Sequence, residues 1–203
     1  MPSQSQASDP RRHTKRCFVT VGATASFGSL ISFVLDESFL SALQKFEYTH
    51  LRIQYGKDSR SIFENFLLNH PPGTAGRHGI QIDGFDFNQA GLEQEMRLTK
   101  EDASGMIISH AGSGSILEAL RLGVPLVVVP NPTLKDNHQE ELAQELQRQG
   151  YVVASHYKDI SAAIGQAESL RERMSAWPPS RDEKQKDRPT LASVIADEMG
   201  FLD

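Results

Sequence analysis

Short apolar segments alternate with longer amphipathic ones from residue 16 to about residue 175. Each apolar segment is rich in β-branched residues and runs into a turn, a pattern typical of strands. The predicted strands span residues 16–21, 51–55, 80–85, 105–109, 124–129 and 151–154. Helical spacing predicts helices between and after them, over residues 30–46, 61–68, 96–103, 116–122, 137–149 and 160–174. The alternation predicts an α/β, Rossmann-like domain with a parallel sheet and helices on both of its faces.

Polar segments flank this domain, which we assign to residues 16–175. Residues 1–15 are rich in Ser, Gln and Pro and are predicted to be a disordered leader, without the apolar core of a secretory signal. Prolines and a charged run predict a linker over residues 176–189. Apolar residues then recur at helical spacing, which predicts a terminal helix over residues 190–203.

Composition narrows the class of protein. The 203 residues carry 21 Lys and Arg against 26 Asp and Glu, a formal charge of −5, which argues against a broad nucleic-acid-binding surface. The single cysteine, Cys17, excludes an intramolecular disulfide and a cysteine-based zinc cluster. The longest apolar run, near residues 124–130, is far shorter than the roughly 20 residues that span a bilayer. We therefore expect a cytosolic protein.

The segment with the clearest chemistry follows the fourth predicted strand. Ligands of parallel α/β sheets bind where strand carboxyl ends meet helix amino ends. Gly112 and Gly114 would let a phosphate approach the backbone. Ser113 and Ser115 supply hydroxyls, and the helix that begins near Ser115 directs its N–H groups and its dipole toward an anion. The segment predicts a phosphate site; alternatively, it is only a tight turn between strand and helix.

Common motifs for phosphate binding and nucleophilic catalysis do not fit this segment. The sequence has no P-loop, and Leu117 stands where the dinucleotide fingerprint requires glycine. A nucleophile elbow centred on Ser113 would need glycine where Ala111 and Ser115 stand. Neither a nicotinamide enzyme nor a serine hydrolase therefore has local support.

Polar residues in two predicted first helical turns are further candidates. Glu118 would lie one helical turn beyond a bound phosphate, within reach of a ribose; alternatively, it only complements the helix dipole. His138 and Gln139 follow the fifth strand and offer directional donors and acceptors to sugar hydroxyls. Alternatively, residues 135–141 form a cap and a solvated helix face. His110 and His138 have no convincing third ligand, so we expect no metal site.

Taken together, these segments resemble the donor-binding half of GT-B glycosyltransferases. The order and spacing are similar to those of enzymes that add N-acetylglucosamine to lipid-linked intermediates. In particular, they resemble the catalytic, donor-binding subunits of two-subunit UDP-N-acetylglucosamine transferases of dolichol-linked oligosaccharide synthesis. The resemblance is carried by Ile108–Glu118, Gly123–Pro130, Asp136–Gln139, Phe18–Gly22 and Gln54–Gly56.

The resemblance implies how this chain would bind its donor substrate, UDP-N-acetylglucosamine, without a cofactor or a metal. It implies that Gly112–Ser115 hold the diphosphate and that Glu118 holds the ribose. His138 and Gln139 would contact the hexosamine ring, and the backbone near Gly84 and Phe85 would face the uracil. The other donor contacts that it implies are Gly22, Thr24, His110 and Asn137. It identifies no catalytic base.

The resemblance also implies a partner. A complete GT-B enzyme has two Rossmann-like domains, so a separate membrane-anchored subunit would bind the lipid-linked acceptor and bring this chain to the cytosolic face of the endoplasmic reticulum. The apolar stripe of the terminal helix would dock on that subunit; alternatively, the stripe folds back on its own domain. The stripe consists of Leu191, Val194, Ile195 and Met199.

The reaction implied is the inverting transfer of a second N-acetylglucosamine to dolichyl-diphosphate-N-acetylglucosamine, which would require the partner subunit. Two other functions fit the same nucleotide-binding features. One is a non-catalytic regulatory protein that binds a nucleotide sugar. The other is a self-sufficient hydrolase or epimerase of UDP-sugars.

Overall fold

The computed structural model describes residues 14–23, 25–101, 105–134 and 138–175. Within these residues the strands are β1 (Arg16–Thr20), β2 (His50–Gln54), β3 (Gln81–Phe85), β4 (Met106–His110), β5 (Leu126–Val129) and β6 (Val153–Ala154). The α-helices are α1 (Gly28–Val34), α2 (Glu37–Lys45), α3 (Arg60–Asn69), α4 (Glu93–Glu101), α5 (Ser113–Leu122), α6 (His138–Arg148) and α7 (Ile160–Ser175).

All the strands belong to one parallel sheet with the order β3-β2-β1-β4-β5-β6. This is the order of a doubly wound Rossmann fold, so the predicted fold class is confirmed. β1 lies at the centre, with Thr20 opposite Gln54 of β2 on one side and Ser109 of β4 on the other. The carboxyl ends of these three strands therefore lie together at one edge.

Helices cover both faces of the sheet, because alternate side chains of each buried strand point to opposite sides. On β1, Val19 packs into the core under α1, α2, α3 and α7. Its neighbour Phe18 packs into the second core, under α4, α5 and α6. The central strands are apolar on both faces for this reason.

The prediction of a single helix over residues 30–46 is wrong, because this segment forms α1 and α2 with a break between them. The Asp36 carboxylate caps α2 by accepting a hydrogen bond of 2.9 Å from the backbone N–H of Ser38. This backbone hydrogen bond lowers the pKa of Asp36. Apolar periodicity did not predict the break, since Val34, Leu35 and Phe39 keep helical spacing across it.

The predicted leader, linker and terminal helix lie outside the described residues, apart from Thr14 and Lys15. Lys15 belongs to the folded domain, since its carbonyl accepts hydrogen bonds from the backbone N–H groups of Thr49 (2.9 Å) and His50 (3.2 Å). In the described part of the chain, no helix has both the length and the apolar character to cross a membrane. The predicted docking residues Leu191, Val194, Ile195 and Met199 also lie outside that part.

A cluster of charged groups attaches α7 to the amino-terminal edge of the sheet. The Glu168 carboxylate accepts hydrogen bonds from the Tyr48 hydroxyl (2.6 Å) and from Lys15 Nζ (3.1 Å). Arg171 Nε donates a third, at 3.2 Å. Burial alone would raise the pKa of Glu168, but the hydrogen bonds from Arg171, Tyr48 and Lys15 outweigh it and hold that pKa below its usual value.

We predict that Glu168→Gln lowers the free energy of unfolding by about 1.5–3 kcal/mol at pH 7, because hydrogen bonds to a charged acceptor become neutral ones. The pKa of Glu168 is lower in the folded than in the unfolded chain. Its stabilising contribution is therefore complete above the unfolded pKa, about 4.3, and is lost as the pH falls through the folded value. Urea unfolding of both proteins between pH 7 and pH 3 measures the difference.

The matched control is Glu172→Gln, since Glu172 is an exposed glutamate on the same helix. We expect its effect on stability to be small at every pH. A stability difference for Glu168→Gln that stays constant down to pH 3 would contradict the role assigned to the carboxylate.

Candidate active site

β1 and β4 are neighbours at the place where the order of strands reverses: β2 and β3 follow on one side of β1, whereas β4, β5 and β6 follow on the other. The chain leaves β1 for α1 on one face and leaves β4 for α5 on the opposite face. The two loops therefore diverge, and doubly wound folds bind ligands in the opening between such loops. This opening, the switch crevice, has Gly22 on one side and Gly112–Ser115 on the other, so the structure brings these predicted residues together.

The imidazole of His110 packs between the two glycines that border the switch crevice. A Cβ added to Gly22 would lie 2.3 Å from Cε1 of the ring, and one added to Gly112 would lie 2.3 Å from Nε2. Gly22 also has a φ of +74°, which favours glycine. The sequence suggested that Gly112 makes room for a phosphate, and the resemblance implied that Gly22 contacts the donor. The structure adds that they make room for the ring of His110.

Burial of the His110 ring favours its uncharged form. Nδ1 is buried and makes no hydrogen bond within the part of the chain that is described. Burial lowers the pKa of His110, and the nearby Thr20 backbone carbonyl opposes this only in part. The neutral ring carries one donor and one acceptor nitrogen. Because protein encloses Nδ1, this nitrogen is not open to a ligand in the crevice.

Gln54 is a positioning residue to which sequence reasoning gave no role. Its amide is buried, and Oε1 accepts hydrogen bonds from the Thr20 hydroxyl (2.6 Å) and the Gly22 N–H (3.1 Å). Nε2 donates to the carbonyls of Gly22 (2.9 Å) and Asp86 (3.1 Å). The amide is thus fully hydrogen-bonded and joins the loop after β1 to the loop after β3. A glutamine at the end of an apolar strand is the only sequence signal for this role.

The amino terminus of α5 opens onto the switch crevice. Gly112 is its N-cap and provides no side-chain cap. The first backbone hydrogen bond of the helix runs from Ile116 N–H to the Gly112 carbonyl (3.1 Å), so the amides of residues 113–115 have no acceptor within the helix. Gly114 is exposed, and no atom of the described residues lies within 4 Å of an added Cβ. Free amides at the positive end of a helix dipole are suited to an anion.

Glu118 lies in the second turn of α5, not in the first as predicted. The reason is that the serine-glycine-serine segment adopts helical backbone, so the helix already begins at Ser113. The Cα atom of Glu118 is then about 7.5 Å along the helix axis from that of the first residue, at 1.5 Å per residue. The hydrogen bond to Glu93 does most to raise the pKa of Arg97, and the negative charge of Glu118 adds to it. Glu118 therefore lies toward α4.

Gly84 and Phe85, predicted to face the uracil, pack against neighbouring groups. A Cβ added to Gly84 would lie 2.5 Å from a carbonyl oxygen of β2, so only glycine fits there. The ring of Phe85 stacks on Phe18 with 6.5 Å between centroids, and the Arg52 guanidinium carbon lies 4.8 Å from the Phe85 centroid. The Phe85 side chain is thus held from two sides. The backbone contact with uracil stays a prediction.

The amino terminus of α6 is connected to the switch crevice through Gln139. Its Oε1 accepts a hydrogen bond from the Asn131 N–H (3.1 Å), and Asn131 Nδ2 donates to the Ser26 carbonyl (2.9 Å) in the loop after β1. Sequence reasoning missed Asn131, although a polar residue between two prolines after a buried strand was a usable signal. Gln139 lines a cavity of about 450 Å³. His138 is exposed, with its Nδ1 3.8 Å from the Glu141 carboxylate.

Two predicted contacts cannot be placed, since Thr24 and Asn137 lie outside the described residues. Among the residues that are described, no three His, Cys, Asp or Glu side chains come together as metal ligands. The expectation of a metal-free site stays a prediction.

Comparison with known proteins decides the family. The sequence matches the glycosyltransferase family 28 C-terminal domain over residues 16–192. The chain belongs to this family. It is 33% identical over 189 residues to the UDP-N-acetylglucosamine transferase subunit ALG13 of Saccharomyces cerevisiae, covering 83% of this chain and 91% of that protein. The predicted resemblance to glycosyltransferases is therefore confirmed.

Solved structures extend the family assignment to the fold. An NMR solution structure of ALG13 matches with a TM-score of 0.59 at 29% identity, covering 84% of this chain and 92% of that one. MurG from Acinetobacter baumannii matches with a TM-score of 0.50 at 18% identity, a likeness of fold alone. The match covers 83% of this chain but only 42% of the MurG chain. The family 28 domain described here thus has the fold of one part of that larger structure.

We predict that Gly22→Ala destabilises the protein more than Gly123→Ala does. Both glycines have a positive φ, +74° and +67°, so alanine is strained at either position by about 1–2 kcal/mol. Only at Gly22 does the added Cβ also overlap the His110 ring, and such overpacking costs about 1–3 kcal/mol more. Denaturant unfolding of the two variants measures the difference.

A double variant tests whether the His110 ring is the cause. Adding His110→Ala removes the overlap, so it should restore part of the stability that Gly22→Ala loses. We expect a coupling energy of about 1 kcal/mol or more in the double-mutant cycle. Equal losses for Gly22→Ala and Gly123→Ala, or strictly additive effects in the cycle, would show that the ring does not fill this space.

Proposed function

We propose that this chain is the donor-binding subunit of an N-acetylglucosaminyltransferase that uses UDP-N-acetylglucosamine. The observation that carries the proposal is the free amino terminus of α5, which faces Gly22 across the ring of His110 in the switch crevice. Membership of a glycosyltransferase family supports glycosyl transfer. The nature of the donor is supported by similarity to ALG13, which is named a UDP-N-acetylglucosamine transferase subunit.

In this proposal the donor lies along the carboxyl edge of the sheet. The diphosphate binds the free amides and hydroxyls of residues 113–115. The ribose lies beside Glu118, between α5 and α4, and the uracil lies toward Phe85. The hexosamine extends the other way, to Gln139 and His138 and the cavity of about 450 Å³ that Gln139 lines. The ring of His110 lies beside the sugar phosphate, packed between Gly22 and Gly112.

The proposed reaction is a direct displacement with inversion. A hydroxyl oxygen of the acceptor forms a bond to the anomeric carbon while the bond from that carbon to the β-phosphate oxygen breaks, and UDP leaves with the electron pair. Negative charge therefore grows on the β-phosphate, where the amides of α5 are already oriented to stabilise it. The proton of the hydroxyl passes to a base, which we assign to the acceptor-binding partner.

The acceptor we propose is dolichyl-diphosphate-N-acetylglucosamine, so the reaction adds the second N-acetylglucosamine. A membrane-anchored subunit would bind this lipid and complete the enzyme at the cytosolic face of the endoplasmic reticulum. Two facts support a partner: the similar protein ALG13 is named a subunit, and this fold matches only 42% of the MurG chain. We assign docking on that subunit to residues 190–203.

We predict that Glu118→Ala weakens the binding of UDP-N-acetylglucosamine by about 10- to 150-fold. The reason is that a hydrogen bond to a charged group contributes about 1.5–3 kcal/mol. Titration calorimetry on the isolated chain measures the dissociation constant. Glu145→Ala is the matched control. Glu145 is also a helical glutamate, and its carboxylate is paired with Arg148. This pair lies at the carboxyl end of α6, whereas His138 lies at the amino end. An unchanged dissociation constant for Glu118→Ala would remove this residue from the donor site.

The function itself is tested with radiolabelled UDP-N-acetylglucosamine and dolichyl-diphosphate-N-acetylglucosamine. We expect the isolated chain to transfer almost no sugar, and transfer to appear when membranes that contain the acceptor-binding subunit are added. A chain lacking residues 190–203 should still bind UDP but should neither co-purify with those membranes nor support transfer.

Each other outcome identifies a different function. Donor binding without transfer, even with the partner present, would indicate a regulatory protein. Release or isomerisation of the sugar by the isolated chain would indicate a hydrolase or an epimerase. Undiminished co-purification of the shortened chain would refute the docking role of residues 190–203.

A further inference from the structure

Arg77 is the only charged residue that is buried in the described part of the chain, with 6% of its surface exposed. It ends a short 3-10 turn, Ala75–Arg77, between α3 and β3. Burial lowers the pKa of Arg77, in keeping with the unfavourable transfer of a charge out of water. A buried charge is normally stabilised by an opposite charge beside it.

No carboxylate of the described residues pairs with Arg77. More exposed arginines do have acidic partners, namely Arg52, Arg60, Arg97, Arg148 and Arg171. The hydrogen bond that the Arg77 guanidinium makes within the described residues runs from Nε to the His70 carbonyl, at 2.5 Å. The two Nη atoms make none there, and neither is fully enclosed by protein. Four of the five N–H groups of the guanidinium are therefore left for another acceptor.

Arg77 lines a cavity of about 540 Å³, a volume within the range of small-molecule sites. Gly73 and Gly79 also line this cavity, and their amides donate to no backbone carbonyl of the described residues. None of the described residues that line it is acidic. Ile80 and Ile82 supply apolar surface. The Arg77 cavity thus combines a positive charge and free N–H groups with an apolar wall.

We propose that the Arg77 cavity binds an oxyanion, a phosphate or carboxylate group carried on a small apolar moiety. A planar guanidinium offers two parallel N–H groups that match two oxygens of such an anion, and this geometry is specific to arginine. The free amides of Gly73 and Gly79 are available to bind the remaining oxygens. The isoleucines cover the apolar part of the ligand.

The Arg77 cavity is separate from the donor site. Gln81, the first residue of β3, lines the cavity, whereas the switch crevice lies at the carboxyl ends of β1 and β4. A strand of five residues separates the two edges by about 16 Å, at about 3.3 Å per residue. The proposal therefore does not depend on the function assigned to the switch crevice.

The alternative is that Arg77 only caps the carboxyl end of α3, to which His70 belongs as the C-cap. A cationic side chain is favourable at that end of a helix. This role uses Nε alone and predicts no affinity for an anion. The two explanations therefore differ in a binding measurement on the whole chain.

Two-dimensional NMR of the full chain tests the proposal, with UDP present in excess and ionic strength held constant with chloride. Inorganic phosphate and propionate are titrated in separate series. We expect saturable shifts of the Gly73 and Gly79 amides and of the Arg77 Nε–H signal with at least one of the two anions. Shifts at residues 112–115 would instead report on the donor site, so failure of one site is distinguishable from failure of the other.

Variants show whether the guanidinium is responsible. Arg77→Met should weaken the saturable binding at least tenfold, and Arg77→Lys should weaken it severalfold, because lysine lacks the planar fork. Arg148→Met, at an exposed arginine of α6, is the matched control and should bind as the unchanged chain does. If Arg77→Met does not fold, the titration of the unchanged chain and of Arg77→Lys decides. Shifts that do not saturate, or equal affinity in Arg77→Lys and the unchanged chain, would overturn the proposal.

Discussion

The packing of one imidazole between two glycines sets the geometry of the carboxyl edge. His110 ends β4 and Gly22 follows β1. The ring therefore lies between the loop after β1 and the loop after β4, which lead to opposite faces of the sheet. Other loops are then joined to this pair. Gln54 connects the loop after β1 to that after β3, and Asn131 connects it to the loop after β5. Buried hydrogen bonds of this kind hold a site in one arrangement before any ligand arrives.

The net charge of the protein and the local potential at the switch crevice have opposite signs. A chain with a formal charge of −5 does not attract an anionic donor by its overall field. At the switch crevice, the positive potential comes from the backbone amides at the amino terminus of α5. The first turn of this helix has no cationic side chain. His110 stays neutral there, since burial disfavours the imidazolium. Arg77 is the opposite case, a full charge that is buried and is paired with no carboxylate of the described residues.

Local patterns were sufficient for the fold, because strand and helix periods are properties of neighbouring residues. They were not sufficient where one residue decides a boundary, as the Asp36 cap and the early start of α5 at Ser113 show. The contacts of Gln54 and Asn131 could not be predicted either. Their partners lie 32 and 105 residues away in the sequence, and only the folded chain brings them together.

Glycines of the switch crevice can serve two purposes, to accommodate the His110 ring or to let a phosphate approach. Sequence reasoning considered only the phosphate. A residue without a side chain lets the backbone approach either a ring or a phosphate. At Gly22 and Gly112 the structure shows the ring of His110 against the glycine, whereas Gly114 has open space above it. The first two therefore hold the site together, and the third leaves it open. In the function proposed above, a second chain would therefore supply only the acceptor and the base.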